Sequence, residues 1–151
     1  MLVFCIDDRR YALHVDAVLR VLPMVDIAPL PTAPGIVVGV IDVAGRIVPV
    51  LDMRQRLGFE ARASRLSDVL ILARTRELRV ALPADGVVGV VERTPASMTP
   101  AERIAPGIEQ VAGVVKLDDG LALIQDLDAF LSLPQRAQLS RALAEREVAR
   151  R

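Results

Sequence analysis

The chain has 151 residues and carries 19 Lys and Arg against 19 Asp and Glu, so it has no formal net charge. That length suits one domain or two very small ones and is enough to bury a core without disulfide or metal staples. Zero net charge argues against a general electrostatic grip on nucleic acid or on an anionic membrane surface.

Hydrophobic residues make up 52% of the chain but aromatics only 3%, which leaves the core to Val, Leu, Ile and Ala. "LVFCI", "DDRR" and "YALHV" read as strand, turn, strand. Cys5, the single cysteine, lies in the first of these strands and reads as an inert core thiol in a reducing cytoplasm. Asp16 to Leu22 fits a short helix or a bent strand, and Pro23, Pro29, Pro31 and Pro34 mark an irregular crossing segment. The longest uncharged run, Ile27 to Ile41, is too short and too proline-rich for a membrane span, and Asp7 and Asp8 interrupt any N-terminal signal pattern.

"GVIDVAGRIVPVLDM", residues 39–53, reads as a hairpin apolar on both arms, and "LDMRQRLG" as a helical turn closed by Gly58. "DVLILAR", "LRVALPA" and "GVVGVVE" supply three more strands. A second proline-bearing connection runs from Thr94 to Gly107, and "GVVKLDDGLALIQDL" forms a second hairpin turning at Asp118-Asp119-Gly120. Ser132 is the expected N-cap of a terminal helix with a weak stripe of Leu139, Ala142, Leu143 and Val148. Its arginines, Arg136, Arg141, Arg146, Arg150 and Arg151, outnumber Glu145 and Glu147, which reads as a solvated helix leaning on the second half of the chain.

The hairpins are related. A shift of 74 residues places Gly39 on Gly113, Val50 on Ile124 and Asp52 on Asp126, and "PGI" precedes both, at Pro34 and Pro106. A shift of 69 places Asp16 on Asp85 and Val18 on Val87. The repeat units are approximately 2–57 and 69–131, and two units of short strands with glycine breaks suggest two small antiparallel barrels. In that arrangement one face of each hairpin fills its own barrel and the other lines the junction.

The segment "LPTAPGIVVGVIDVAGRIVPVLDMRQRLG" resembles the signature of the CheW family, the coupling proteins of bacterial chemosensory arrays. The matching positions are Pro31, Pro34, Gly39, Gly45, Pro49, Asp52 and Arg54. "YALHVDAVLRVL", "LPADGVVGVVE" and "VAGVVKLDDGLALIQDLDAFL" resemble further segments of the family in the same order, over roughly residues 2–133. The resemblance implies a mainly β fold of two five-stranded, SH3-like barrels spanning residues 1–133, with short helical turns and a helical tail at 134–151. It implies an adaptor without enzymatic activity or cofactor, bridging the cytoplasmic tip of a methyl-accepting chemoreceptor to the regulatory domain of a CheA-type histidine kinase. It implies a cytoplasmic protein associated with membrane receptor arrays, with no direct membrane insertion and no nucleic acid. By position, its receptor groove includes Val18, Gly39, Ala44, Gly45 and Arg46. The family's Asn is Asp42 here and its Arg is Ala44, a change that removes a planar bidentate donor. A divergent paralogue serving surface sensing, pili or a second messenger, with weakened receptor coupling, is the alternative.

No residues point to chemistry. Asp52 and Asp126 each end an apolar strand before a helical turn and read as caps rather than a catalytic pair. His14 is the only histidine and has no second ligand nearby for a metal. Asp85-Gly86 reads either as a hairpin turn or as the mirror of Asp16-Ala17. A small-barrel nucleic-acid binder needs a basic groove and stacking aromatics, and the chain has Tyr11 and three Phe.

Overall fold

Alternating apolar residues pair from the start of the chain. The computed structural model describes residues 1–104 and 111–149; Pro106, Gly107, Arg150 and Arg151 lie outside the described residues, as does the side chain of Val148. Strands β1 (Leu2–Ile6) and β2 (Arg9–Leu13) form an antiparallel hairpin in which Phe4 faces Tyr11. A single 3-10 turn, Val15–Ala17, leads into β3 (Val18–Pro23), so the Asp16–Leu22 segment is a helical turn followed by a strand. The second hairpin is β4 (Val37–Val43) and β5 (Arg46–Leu51), followed by helix α1 (Met53–Leu57). Asp52 caps α1 by accepting from the Gln55 N–H, and Gly58 closes it in the left-handed region.

Strands β6 (Val69–Arg74), β7 (Arg79–Ala84) and β8 (Gly86–Val90) come next, then the three-residue β9 (Met98–Pro100) and the one-turn α2 (Ala101–Ile104). The last hairpin, β10 (Val111–Leu117) and β11 (Gly120–Gln125), turns at Asp118-Asp119. Asp126 then caps a 3-10 turn by accepting from the Asp128 N–H. Helix α3 (Leu133–Ala149) opens on a reciprocal cap in which Gln135 N donates to Ser132 Oγ and Ser132 N donates to Gln135 Oε1.

The strands make two sheets, one of six in the order β8-β1-β2-β11-β10-β9 and one of five in the order β3-β6-β7-β5-β4. The halves of the chain exchange hairpins. The β1–β2 hairpin joins β8–β11, while β6–β7 joins β3–β5. Each exchange is sealed by a short parallel pairing, β2 with β11 in one sheet and β7 with β5 in the other. The expected count of five strands per barrel holds for one sheet only. The sixth strand, β9, pairs with β10, and its counterpart in the other sheet is a lone bridge between Ala28 and Val40. Proline flanks both segments, so alternation alone marks neither as a strand.

That crossing backbone explains the shared glycine. A Cβ on Gly39 would lie 2.2 Å from the Ala28 carbonyl oxygen, and one on Gly113 would lie 2.5 Å from that of Thr99. Both glycines sit where the hairpin register slips, between Val37 and Gly39 and between Val111 and Gly113. Gly39→Ala and Gly113→Ala should each destabilise the protein by about 1–3 kcal/mol, as overpacking against backbone does. Gly35→Ala, whose Cβ would come no nearer than 3.9 Å to a side chain, should cost far less, and urea midpoints of the three variants separate the cases.

The core has three parts. Alternate residues of β6 divide between two of them: Ile71 and Ala73 enter the large cluster between the sheets, and Leu70 and Leu72 enter the interior of the five-stranded barrel with Ile41, Val48 and Val50. The six-stranded barrel is filled by Val3, Ala12, Val115, Ala122 and Ile124. Leu2, Phe4, Ile6, Tyr11 and Leu13 present the opposite faces of β1 and β2 to the junction. Both faces of the β4–β5 hairpin are therefore buried. The β10–β11 hairpin departs from the expected symmetry: Leu121 is 59% exposed and Leu123 38%. From the six-stranded sheet, β1 and β2 fill the junction, which leaves the outer face of β11 outside it.

Helix α3 also differs from the expected solvated helix on the second half. Leu139 and Ala142 are buried in the junction cluster, and Leu143 packs against it. Gln138 Nε2 donates to the Thr32 carbonyl at 2.8 Å, and the Thr32 hydroxyl donates to Glu145 at 3.0 Å. The helix thus covers the seam between the sheets and fastens to the proline-rich crossing segment. No described helix is long and apolar enough to cross a membrane.

Candidate protein-binding surface

The tip of the β4–β5 hairpin is a two-residue turn between the paired Val43 and Arg46. Both central residues have positive φ, 51° at Ala44 and 84° at Gly45, the conformation whose twist matches a hairpin. Glycine adopts it freely, whereas alanine does so at a cost of about 1–2 kcal/mol. The Asp42 carboxylate compensates in part by accepting from the Gly45 N–H at 2.8 Å.

Ala44, Gly45 and Arg46 are exposed at this tip. Val18 is half-buried at the start of β3 and packs against the junction cluster. Gly39 is buried, and its open side is filled by the Ala28 backbone rather than by solvent. In hydrogen-bonded order β3 is separated from β5 by β6 and β7, so the hydrogen-bond ladder does not bring Val18 beside the tip. Of the two central turn residues only Ala44 has a side chain, a single methyl group.

Sequence reasoning missed the valines of β8. Val88 is 54% exposed and Val90 67%, and Val87 is also exposed. Adjacent residues point to opposite faces of a strand, and both Val87 and Val88 are open because β8 lies at the edge of its sheet. β3 occupies the same edge position in the other sheet and exposes Val21. The shift that sets Val18 on Val87 already pairs these two strands, and that was the signal available. Exposed apolar side chains along an unpaired strand edge mark an interaction surface more than scattered ones do.

The remaining candidates are structural. Cys5 is half-buried rather than a core residue, with Sγ 3.6 Å from the Gly86 carbonyl oxygen, because its side of β1 faces the glycine of edge strand β8. His14 is exposed. Asp119 forms a two-pronged ion pair with Arg10, tying the last hairpin to β2. Asp85 is not in a hairpin turn: it is the one residue between β7 in one sheet and β8 in the other, half-buried, and precedes β8 as Asp16 precedes β3. Its carboxylate accepts from the Asp7 N–H at 2.6 Å and from Arg54 and Arg62. Burial alone would raise the Asp85 carboxyl, but the Asp7 N–H and the Arg62 and Arg54 guanidiniums outweigh it and hold it below the ordinary carboxylate range. Asp68, buried, is lowered in the same way: burial is outweighed by Arg62 and the Arg65 N–H.

A family model described as the CheW-like domain matches residues 1–135. The chemotaxis protein CheW of Thermotoga maritima is 30% identical over 131 residues, which cover 87% of this chain and 86% of that protein. The chemotaxis protein CheW of Rhizobium meliloti is 25% identical over 138 residues, covering 90% and 89%. Among solved structures, the scaffolding protein TtCheW of Thermoanaerobacter tengcongensis superposes with a TM-score of 0.79 at 25% identity, covering 89% of this chain and 92% of that one.

Proposed function

The chain belongs to the CheW-like family, and from that premise we propose that it is a non-enzymatic adaptor of a bacterial chemosensory array, joining the cytoplasmic tip of a methyl-accepting chemoreceptor to the regulatory domain of a CheA-type histidine kinase. The observation that carries this reading is the family match over nearly the whole chain. Two features of the surface support it. The edge strands β3 and β8 carry exposed valines, and the hairpin tip at Ala44, Gly45 and Arg46 stands in solvent. Both suit protein contact without chemistry. The adaptor works at the cytoplasmic face of the receptor membrane without entering it.

Ala44 favours a second, narrower reading, in which receptor coupling is weakened and the chain serves a dedicated array for surface sensing, pili or a second messenger. The guanidinium that family members carry at this turn would offer paired donors to a carboxylate or carbonyl, and the methyl group of Ala44 offers none. Calorimetry with the cognate kinase regulatory domain should give binding at or below about tens of micromolar, the range of transient contacts. With a receptor-tip fragment, Ala44→Arg should bind more tightly than the unaltered chain, at a stability change within about 0.5 kcal/mol because the position is exposed. Absence of kinase binding in that range would overturn the adaptor reading. Equal receptor affinity of the two chains would overturn the narrower one.

A further inference from the structure

The chain passes between the sheets at Asp85, and at that point groups from both sheets converge on one arginine. Arg54 lies in α1, directly after β5 of the five-stranded sheet. Its Nη2 donates to Asp7 Oδ1 at 2.6 Å and to Asp85 Oδ1 at 3.2 Å, and its Nη1 lies 3.4 Å from Asp7 Oδ2. Asp7 belongs to the β1–β2 turn of the six-stranded sheet and is itself held at a φ of 54°. Asp85 receives the Asp7 N–H as well, so turn, crossing residue and helix are bonded in a closed triangle. Arg62 extends it by bonding both Asp85 and the buried Asp68, one residue before β6.

An aromatic ring completes the seam. Phe59, directly beyond the Gly58 cap, has two guanidiniums within cation–π range of its ring, Arg9 of β2 at 5.6 Å from its centroid and Arg54 at 5.9 Å. Tyr11 of β2 meets the same ring edge-on at 6.4 Å. The Arg9 and Tyr11 contacts join the β1–β2 hairpin to the segment just beyond α1, which follows β5 of the five-stranded sheet. The junction core behind them is largely aliphatic, and aliphatic packing is non-directional. Guanidinium–carboxylate bonds have fixed geometry. The Arg54 side chain is 13% exposed and that of Asp85 25%, so the bond between them is better shielded from screening than the one to Asp7, whose side chain is 48% exposed.

We infer that Arg54, through Asp7 and Asp85, is a clamp that sets the orientation of the two sheets relative to each other, while the aliphatic junction sets only their separation. A partner touching both sheets at once would then meet a fixed surface; that consequence rests on the adaptor reading, and the clamp itself does not.

The test is the distance distribution between two spin labels in the full chain, one at Lys116 on β10 and one at Arg79 on β7, both exposed. Labels are attached through non-natural side chains so that Cys5 stays intact. The unaltered protein should give one narrow distribution. Arg54→Ala and Asp85→Asn should each widen it at least two-fold or shift its centre, and Arg54→Lys, which keeps the charge and loses the fork, should fall between. Asp119→Ala, which breaks an ion pair confined to the six-stranded sheet, should leave it unchanged. Amide-exchange protection of β1 and β6 identifies the variants that keep both sheets. Asp85→Asn keeps its size and an acceptor, so it reads the clamp even where Arg54→Ala fails to fold. Unchanged distributions in variants that keep both sheets would overturn the clamp, as would equal widening by Asp119→Ala. No partner is present, so absent kinase binding would sink the adaptor reading and leave this result standing.

Discussion

Phe4→Ala should lower the unfolding free energy by about 3–5 kcal/mol, the cost of emptying a phenylalanine site in a packed core. Phe4 is fully buried and belongs to the cluster that both sheets share. It faces Tyr11 across the first hairpin, with ring centroids 5.9 Å apart. The chain has three Phe and one Tyr in all, so few large rings exist to close over the cavity. Phe4→Leu, which conserves more of the volume, should cost less than about 1.5 kcal/mol. Denaturant unfolding of the two variants measures both. A loss under about 1 kcal/mol for Phe4→Ala would show that the junction collapses freely, contrary to a core that binds the sheets into one unit.

Leu139→Ala should cost about 2–5 kcal/mol, and Ser140→Ala, one residue further and exposed, should stay within about 0.5 kcal/mol. The contrast separates a terminal helix that is part of the core from one that decorates it. Leu139 is fully buried in the junction cluster, and the hydrogen bonds of Gln138 and Glu145 to Thr32 hold the helix in register with the crossing segment. Thermal midpoints read against the unaltered chain decide it. A shift for Leu139→Ala no larger than that for Ser140→Ala would place the helix outside the cooperative unit.

Local devices were legible in the sequence because their causes are local. The caps Asp52, Gly58 and Ser132 and the turns at Ala44-Gly45 and Asp118-Asp119 rest on residues within a few positions of one another. The relation of Gly39 to Gly113 was visible as a repeat, but its cause was not: the carbonyls that forbid a side chain come from Ala28 and Thr99, in segments whose prolines hide their pairing. Exchange of hairpins between the halves was also hidden, since β-patterning says which face of a strand is buried and not which strand lies beside it. The same gap explains Leu121 and Leu123, which alternate as core residues do and yet face solvent. For the candidate surface, the turn at Ala44–Arg46 lies exposed, whereas Gly39 supports the backbone. The repeat paired β8 with β3 but could not show that both lie at sheet edges, and the Arg54–Asp85 seam depends on long-range topology and was out of reach.

The measurement that bears most directly on the adaptor reading is sedimentation velocity of a CheA-type kinase and a chemoreceptor cytoplasmic fragment, each at about ten micromolar to suit transient affinities, with and without this chain. A species containing all three components, formed only when the chain is present, is the predicted result. A mixture in which the chain sediments alone, with neither the kinase nor the receptor fragment, would contradict it.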